Sequence, residues 1–272
     1  LYSSAASDVY KRQILSSRYE GVDERINNWI DEEISVGDYV KFSKFQHKDK
    51  GEIMEIFPRK NYIIRKSVNL SKETHQLKNS TSYDRYPELF SAVRKYYLHK
   101  EMTGPILSYG CSTGEECFSL RENYFPDAPL VGVDIDRANL EKCEKNNGER
   151  NIKFLYSDKS NLSRYAPYQV IFCMSVLCRW PDCGDIDDIS SLYPFRKFEK
   201  KCRELHKQLK LGGLLVIYNS NFKFSDTSLY TKYSVIKVAN YTDSGFVHKF
   251  GTDNKKLLNQ EFTECIFVKT SK

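Results

Sequence analysis

The segment ILSYGCSTGEECFSL, residues 106–120, constrains this chain more than any other. Its apolar run from Ile106 to Tyr109 leads into Gly110, Cys111, Ser112, Thr113 and Gly114, and a helical pattern begins at Glu115. A buried strand that turns into a helix through a glycine-bounded loop is the opening unit of a doubly wound α/β sheet. Glycines there let the backbone turn tightly and let a ligand approach amide N–H groups that a Cβ would screen. A glycine pair alone is common, so the second strand decides. LVGVDID ends in Asp134 and Asp136, about 24 residues after the loop begins. A carboxylate at that place can accept hydrogen bonds from both hydroxyls of a ribose. Loop and acid together specify an adenosine-bearing cofactor.

The chain after residue 81 continues the alternation. PELFSAVRKYYLH reads as a helix with Pro87 in its first turn, GEECFSLREN, RANLEKCEKNN and PFRKFEKKCRELHKQLK as further helices, and IKFLYSD, YQVIFCMSVL and GGLLVIYNS as strands. Strand and helix in alternation predict a mostly parallel sheet with helices on both faces. FVHKFGT and FTECIFVKT, with no helix between them, predict an antiparallel hairpin at the sheet edge.

The loop chemistry narrows the cofactor. A dinucleotide rests two phosphates on helix N-terminal amides and favours a first turn free of acids. Glu115 and Glu116 occupy that turn here. They repel pyrophosphate, whereas S-adenosylmethionine has no phosphate and carries a sulfonium and an ammonium. The electrostatics favour S-adenosylmethionine over NAD.

GCSTGEECFSL and VGVDID resemble the first motif and the ribose-binding acidic loop of class I S-adenosylmethionine-dependent methyltransferases of the CheR-like, protein-glutamate type. LYSDKSNL, YQVIFCMSVLCRW and LKLGGLLVIYNSNF follow in the expected order, so the resemblance runs over residues 83–272. It implies a Rossmann-like fold in which Gly110, Cys111, Ser112, Thr113 and Gly114 line the methionine and ribose, with Glu115 or Glu116 near the ammonium. It further implies that Asp134 holds the ribose and Ile135 packs on adenine. Ser157 and Asp158 would reach the adenine amino group, and Cys173 and Met174 would lie beside the transferring methyl. Asp134 and Asp158 can alternatively act as helix caps.

The acceptor side is less defined. CRWPDCGDIDD follows the fourth strand, and Arg179 could pair with an anionic acceptor, Trp180 could stack, and Asp182 or Asp185 could serve as base, or the loop is simply solvated. No NPPY-like tetrad follows that strand, which disfavours nucleobase N-methylation. The acceptor classes left open are a protein carboxylate, a small molecule and RNA. Tyr218, Asn219, Asn221, Phe222 and Phe224 follow the next strand and offer a second acceptor-facing loop. Cys178, Cys183, Cys202 and His206 were weighed as a zinc set, but without a C-x-x-C pair no metal is expected.

Residues 1–13 are patternless and read as a non-native leader, and residues 14–80 as a small module with a short helix over 18–33. Within it VGDYVKFSKF, GEIMEIFP and NYIIRKSV read as strands. The stretch from Val36 to His75 resembles the end of the OB-fold domain of ribosome-small-subunit-dependent GTPases, which implies RNA contacts through Arg59, Lys60, Arg65 and Lys66. No G-x-x-x-x-G-K-[ST] loop is present, so GTP hydrolysis is rejected. The +6 net charge tolerates an anionic partner without requiring one. No run approaches a membrane span, and eight cysteines in a long chain fit reduced thiols and the cytoplasm. The competing reading is a non-catalytic methyltransferase-like protein, or an RNA-binding module acting through the OB-like piece.

Overall fold

The computed structural model describes residues 39–44, 51–57, 74–239, 241 and 243–272. The chain divides into two compact units, Leu1–Ser71 and Lys72–Lys272. In the first, β1 (Tyr39–Lys44) pairs antiparallel with β2 (Gly51–Phe57), with a register shift between Lys41 and Phe42. The leader 1–13, the helix expected over 18–33, NYIIRKSV, and Arg59, Lys60, Arg65 and Lys66 lie outside the described residues.

The second unit is built on β3 (Ile106–Tyr109), β4 (Leu130–Asp134), β5 (Lys153–Tyr156), β6 (Tyr168–Met174), β7 (Leu209–Tyr218), β8 (Tyr233–Ile236) and β11 (Ile266–Lys269). They form one sheet in the order β5-β4-β3-β6-β7-β11-β8, parallel from β5 to β7. Every residue of β3, β4 and β6 is buried, as expected of parallel strands covered on both faces. Alternate side chains feed two cores. Leu107, Tyr109, Ile171 and Cys173 pack on one face with Phe198, Cys202 and Leu205 of α5 (Phe195–Gln208). Ile106, Val170 and Phe172 pack on the other with Leu89, Phe90 and Val93 of α1 (Pro87–Tyr96).

The chain winds outward from β3 through β4 and β5, then returns to place β6 on the other side of β3. That reversal opens a crevice at the carboxyl ends of β3 and β6, where open α/β sheets bind their ligands. The helix after the glycine loop, α2 (Glu115–Ser119), continues as a π-helical turn, Leu120–Tyr124, closed by the Phe125 N–H on the Leu120 carbonyl at 2.7 Å. Two further helices, α3 (Arg137–Asn147) and α4 (Lys159–Arg164), follow β4 and β5.

The edge differs from expectation in its pairing. β11 is antiparallel to β7 and β8, so the second arm of the edge pair is YSVI rather than FVHKFGT. The latter supplies only β9 (Lys249–Phe250), which pairs with β10 (Lys256–Leu257) apart from the main sheet. Phe250 is fully buried and its N–H is held by the Asn221 carbonyl at 2.8 Å, which commits this backbone to the loop after β7. Residues 74–80, grouped by sequence with the first piece, bond to the second unit. Lys197 Nζ donates to the Thr74 carbonyl at 2.6 Å, and His75 Nδ1 lies 2.7 Å from Tyr193 Oη.

Candidate cofactor and acceptor site

The glycine loop is tied to β4 by its own backbone. Gly110 and Cys111 both donate their N–H to the Val133 carbonyl, at 2.8 and 3.0 Å. Gly110 and Gly114 have φ of 80° and 98°, a region that glycine enters without Cβ strain. Ser112 N–H donates to Asp134 Oδ2 at 2.9 Å, and Asp136 N–H to Asp134 Oδ1 at 2.8 Å. Each carboxylate oxygen thus uses one lone pair on an amide and keeps another. Burial raises the Asp134 carboxyl above its ordinary range, while the two amides act to lower it. The helix-cap role weighed for Asp134 falls two residues later, to Asp136, which accepts the Ala138 N–H at 2.9 Å.

The two acids of the first helical turn diverge. Glu115 accepts the Thr113 hydroxyl on both oxygens, at 2.9 and 2.7 Å. Glu116 turns inward, where Ser108 Oγ donates to its Oε1 at 2.8 Å. Burial pushes its carboxyl up to about 7, with Ser108 and Arg85 acting in the opposite direction. The residue is only half-buried by exposure although its carboxyl is enclosed by protein. Its charge is felt by both Tyr86 and Cys173.

Ser157 N–H donates to the Asp134 carbonyl at 2.9 Å, so Ser157 stands beside the ribose acid. Its Oγ is buried with no partner at ordinary hydrogen-bond distance among the described residues, although it acts to lower the Tyr109 phenol. Asp158 is the N-cap of α4, with Oδ1 on the Asn161 N–H at 2.8 Å and Oδ2 on Asn161 Nδ2 at 3.1 Å. The short turn from β5 into α4 puts Asp158 at the cap position, so the cap reading weighed for it is the role it plays here. Ile135 is half-buried next to Asp134. Cys173 is sealed in the α5-side core, and burial pushes its thiol well above its ordinary value. Met174, the last residue of β6, is 7% exposed and packs in the opposite core.

Of the polar group at the ends of β6 and β7, sequence reasoning named Asn219 and missed Ser175 and Tyr86. Ser175 and Asn219, both non-glycine residues at positive φ (58° and 54°), are joined by Asn219 Nδ2 donating to Ser175 Oγ at 2.9 Å. Tyr86 Oη lies 2.7 Å from the same Ser175 Oγ. A usable signal was the place of Ser175, directly after the last residue of the strand beside the switch point.

The residues expected on the acceptor loop scatter. Arg179 is buried and its backbone N–H donates to Asn221 Oδ1 at 2.7 Å. Trp180 packs edge-on against Phe246 with ring centroids 5.4 Å apart. Asp182 and Asp185 are exposed. Asn221 braces this loop by donating to Cys183 Sγ at 3.4 Å and to the His248 carbonyl at 2.7 Å. His206 Nδ1 is 2.9 Å from Tyr233 Oη. Among the described residues no three His, Cys, Asp or Glu side chains are grouped to hold a metal ion.

A strap over residues 74–86 runs along this edge. Gln76 Nε2 donates to Cys178 Sγ at 3.2 Å, Ser112 Oγ donates to the Asn79 carbonyl at 3.0 Å, and Asn79 Nδ2 donates to Asp136 Oδ2 at 3.4 Å.

This donor set fits S-adenosylmethionine. Asp134 has lone pairs left for two ribose hydroxyls, the buried Ser157 Oγ can meet a polar atom of adenine, and Glu116 can meet an ammonium. A sequence model of the methyltransferase domain matches residues 100–264. Over 52 residues the chain is 44% identical to the small ribosomal subunit biogenesis GTPase RsgA of Flavobacterium psychrophilum, covering 18% of this chain and 16% of that protein. The chain therefore spans about a sixth of the length of that curated relative. Among solved structures, an S-adenosylmethionine-dependent methyltransferase from Clostridium acetobutylicum aligns with a TM-score of 0.37 and 16% identity over 58% of each chain. The plantazolicin methyltransferase BpumL, in complex with a pentazolic desmethylPZN analog and SAH, aligns with a TM-score of 0.36 and 20% identity over 49% of this chain and 47% of that one. With the domain model matching more than half of its length, the chain belongs to the methyltransferase-domain family.

Proposed function

We propose that this protein transfers the methyl group of S-adenosylmethionine to an acceptor, and that within its family it stands with the CheR-like enzymes through GCSTGEECFSL. The observation that carries the reading is the Asp134 carboxylate, bonded to the glycine loop at Ser112 and still able to accept from a ribose. Bound S-adenosylmethionine supplies a methyl group on a cationic sulfur. Asp134, Ser157 and Glu116 would hold the cofactor so that its methyl group could pass to an acceptor lone pair.

The chain's own contribution is alignment and exclusion of water. Asp134 orients the ribose, Glu116 pairs with the ammonium, Ser157 meets the adenine edge, and the strap shields the loop side. The acceptor is a protein carboxylate, a small molecule or RNA. The eight free thiols support a reducing compartment, the cytoplasm; no helix among the described residues is long and apolar enough to cross a membrane. The basic residues Arg59, Lys60, Arg65 and Lys66 and the likeness to a ribosome-biogenesis GTPase support RNA contact by the first unit.

Calorimetry with S-adenosylhomocysteine tests the cofactor reading. Binding by the intact protein that is lost in Asp134→Ala supports it, and no heat with the intact protein overturns it in favour of a non-catalytic role. For RNA, replacing the four basic residues by alanine should flatten the salt dependence of binding; an unchanged slope removes that role.

A further inference from the structure

The carboxyl ends of β6 and β7 store backbone strain that neither strand needs. Positive φ at a non-glycine residue costs on the order of 1 kcal/mol and persists where a side chain must point one way. Here it turns Ser175 and Asn219 toward each other. Ser244 Oγ donates to Asn219 Oδ1 at 2.5 Å, which fixes the amide and leaves Nδ2 to donate to Ser175.

The hydrogen count at this ring is uneven. Tyr86 and Ser175 carry one hydroxyl proton each but share a single bond, and the other contact of Ser175 Oγ is one it accepts. One O–H proton is therefore left without an acceptor among the described residues. Burial raises the Tyr86 phenol above its ordinary value, so that proton is retained at neutral pH. Tyr86 also feels the charge of Glu116, the acid proposed above to meet the ammonium. Aromatic walls flank the pair: Tyr218 meets Tyr86 edge-on at 5.0 Å, and Tyr241 meets Tyr218 at 5.9 Å.

Charge is balanced around the ring. Among the described residues no charged side chain hydrogen-bonds to Tyr86, Ser175 or Asn219. Arg85 lies 5.2 Å over the Tyr86 ring but donates to the Ser80 carbonyl. Asp243, beside Ser244, is neutralised by Lys249 at 3.1 Å, with both side chains almost fully buried. With S-adenosylhomocysteine, which carries no sulfonium, in place, an anionic group brought here would lose water without a charged hydrogen-bond partner on Tyr86, Ser175 or Asn219, which is costly.

We infer that Tyr86, Ser175 and Asn219 form the acceptor subsite, and that it takes an uncharged planar group whose carbonyl oxygen or ring nitrogen receives the spare hydroxyl proton. The inference rests on the cofactor reading above and deepens it.

Nicotinamide and benzoate, a neutral and an anionic planar probe of similar size, test it by ligand-observed NMR on the full chain loaded with S-adenosylhomocysteine. Nicotinamide should bind saturably and benzoate at least tenfold more weakly. The Tyr86→Phe/Ser175→Gly double variant, in which glycine accepts the positive φ, should lose nicotinamide at least fivefold while its S-adenosylhomocysteine affinity stays within twofold. No saturable nicotinamide binding, benzoate binding as well or better, or unchanged binding by the variant overturns the subsite. A parallel fall in S-adenosylhomocysteine affinity assigns the ring to the cofactor instead and also overturns it. Failure of the wild-type chain to bind S-adenosylhomocysteine is a separate result, and it defeats the cofactor reading.

Discussion

The Asp134 carboxylate accepts the Ser112 backbone N–H at 2.9 Å, so the acid that ends β4 also holds the shape of the glycine loop that follows β3. One residue thus ties the glycine loop to β4 and is the one proposed above to hold the ribose. Asp134→Ala removes two hydrogen bonds to a ribose, each worth about 1.5 kcal/mol when the acceptor is charged. S-adenosylhomocysteine affinity should fall about 100-fold. The same change orphans the Ser112 and Asp136 amides, so the urea midpoint should fall as well, and Asp134→Asn, which can still accept one amide, should lie between.

Gly110 is the position least tolerant of a side chain. Its φ is 80°, and a Cβ there would stand 2.5 Å from Val176 Cγ2. Gly110→Ala should cost about 2–4 kcal/mol in equilibrium unfolding. Adding Val176→Ala removes the collision but leaves the backbone strain, so it should recover only part of the loss.

Glu116 makes stability depend on pH in a direction unusual for a carboxylate. Its ordinary value is 4.5 and burial lifts it to about 7, so the folded chain holds the proton more tightly than the unfolded one. Its contribution is fully present below pH 4.5 and is lost as pH rises through 7, a change of at most about 3 kcal/mol. Glu116→Gln should match wild type at pH 4 and exceed it in melting temperature at pH 8. A cation beside Glu116 favours its ionised form, so S-adenosylmethionine should release protons on binding near pH 6.5, read by calorimetry in buffers of different ionisation enthalpy. The variant should release none.

Ser157 and Asp158 are adjacent but differ in consequence. Asp158→Ala removes an N-cap and should lower stability by about 1 kcal/mol, read as a lower urea midpoint. Ser157→Ala removes a hydroxyl that has no partner at ordinary hydrogen-bond distance among the described residues, so it should spare stability and weaken binding.

Much of this arrangement was legible in the chain because parallel strands and glycine turns are local signals. The runs around Leu107, Val131 and Ile171 are apolar on both faces, and Asp134 sits at a fixed offset from Gly110. The antiparallel edge was harder: Tyr233 and Val235 alternate over only four residues, and the pairing of β8 with β11 spans the intervening residues 237–265, β9 and β10 included, which leave no local trace of it. The Tyr86–Ser175–Asn219 ring was invisible for the same reason, since three distant segments meet through side chains of common types. Asp158 shows the opposite limit, where one residue type suits two roles and only its partner, Asn161, tells them apart.

The stretch over residues 74–96 is not an accessory to the recognised domain. Phe90 of α1 closes edge-on against Phe172 of the central strand at 5.4 Å, and the Asp84 N–H is held by Ser119 Oγ at 2.7 Å. A chain trimmed to the family boundary would lose Leu89, Phe90 and Val93 from the core they share with Ile106, Val170 and Phe172, and would uncover the loop that Asn79 touches. The smallest autonomous folding piece therefore starts upstream of the homology, and shortening it to residues 100–264 should yield an insoluble product rather than a minimal enzyme.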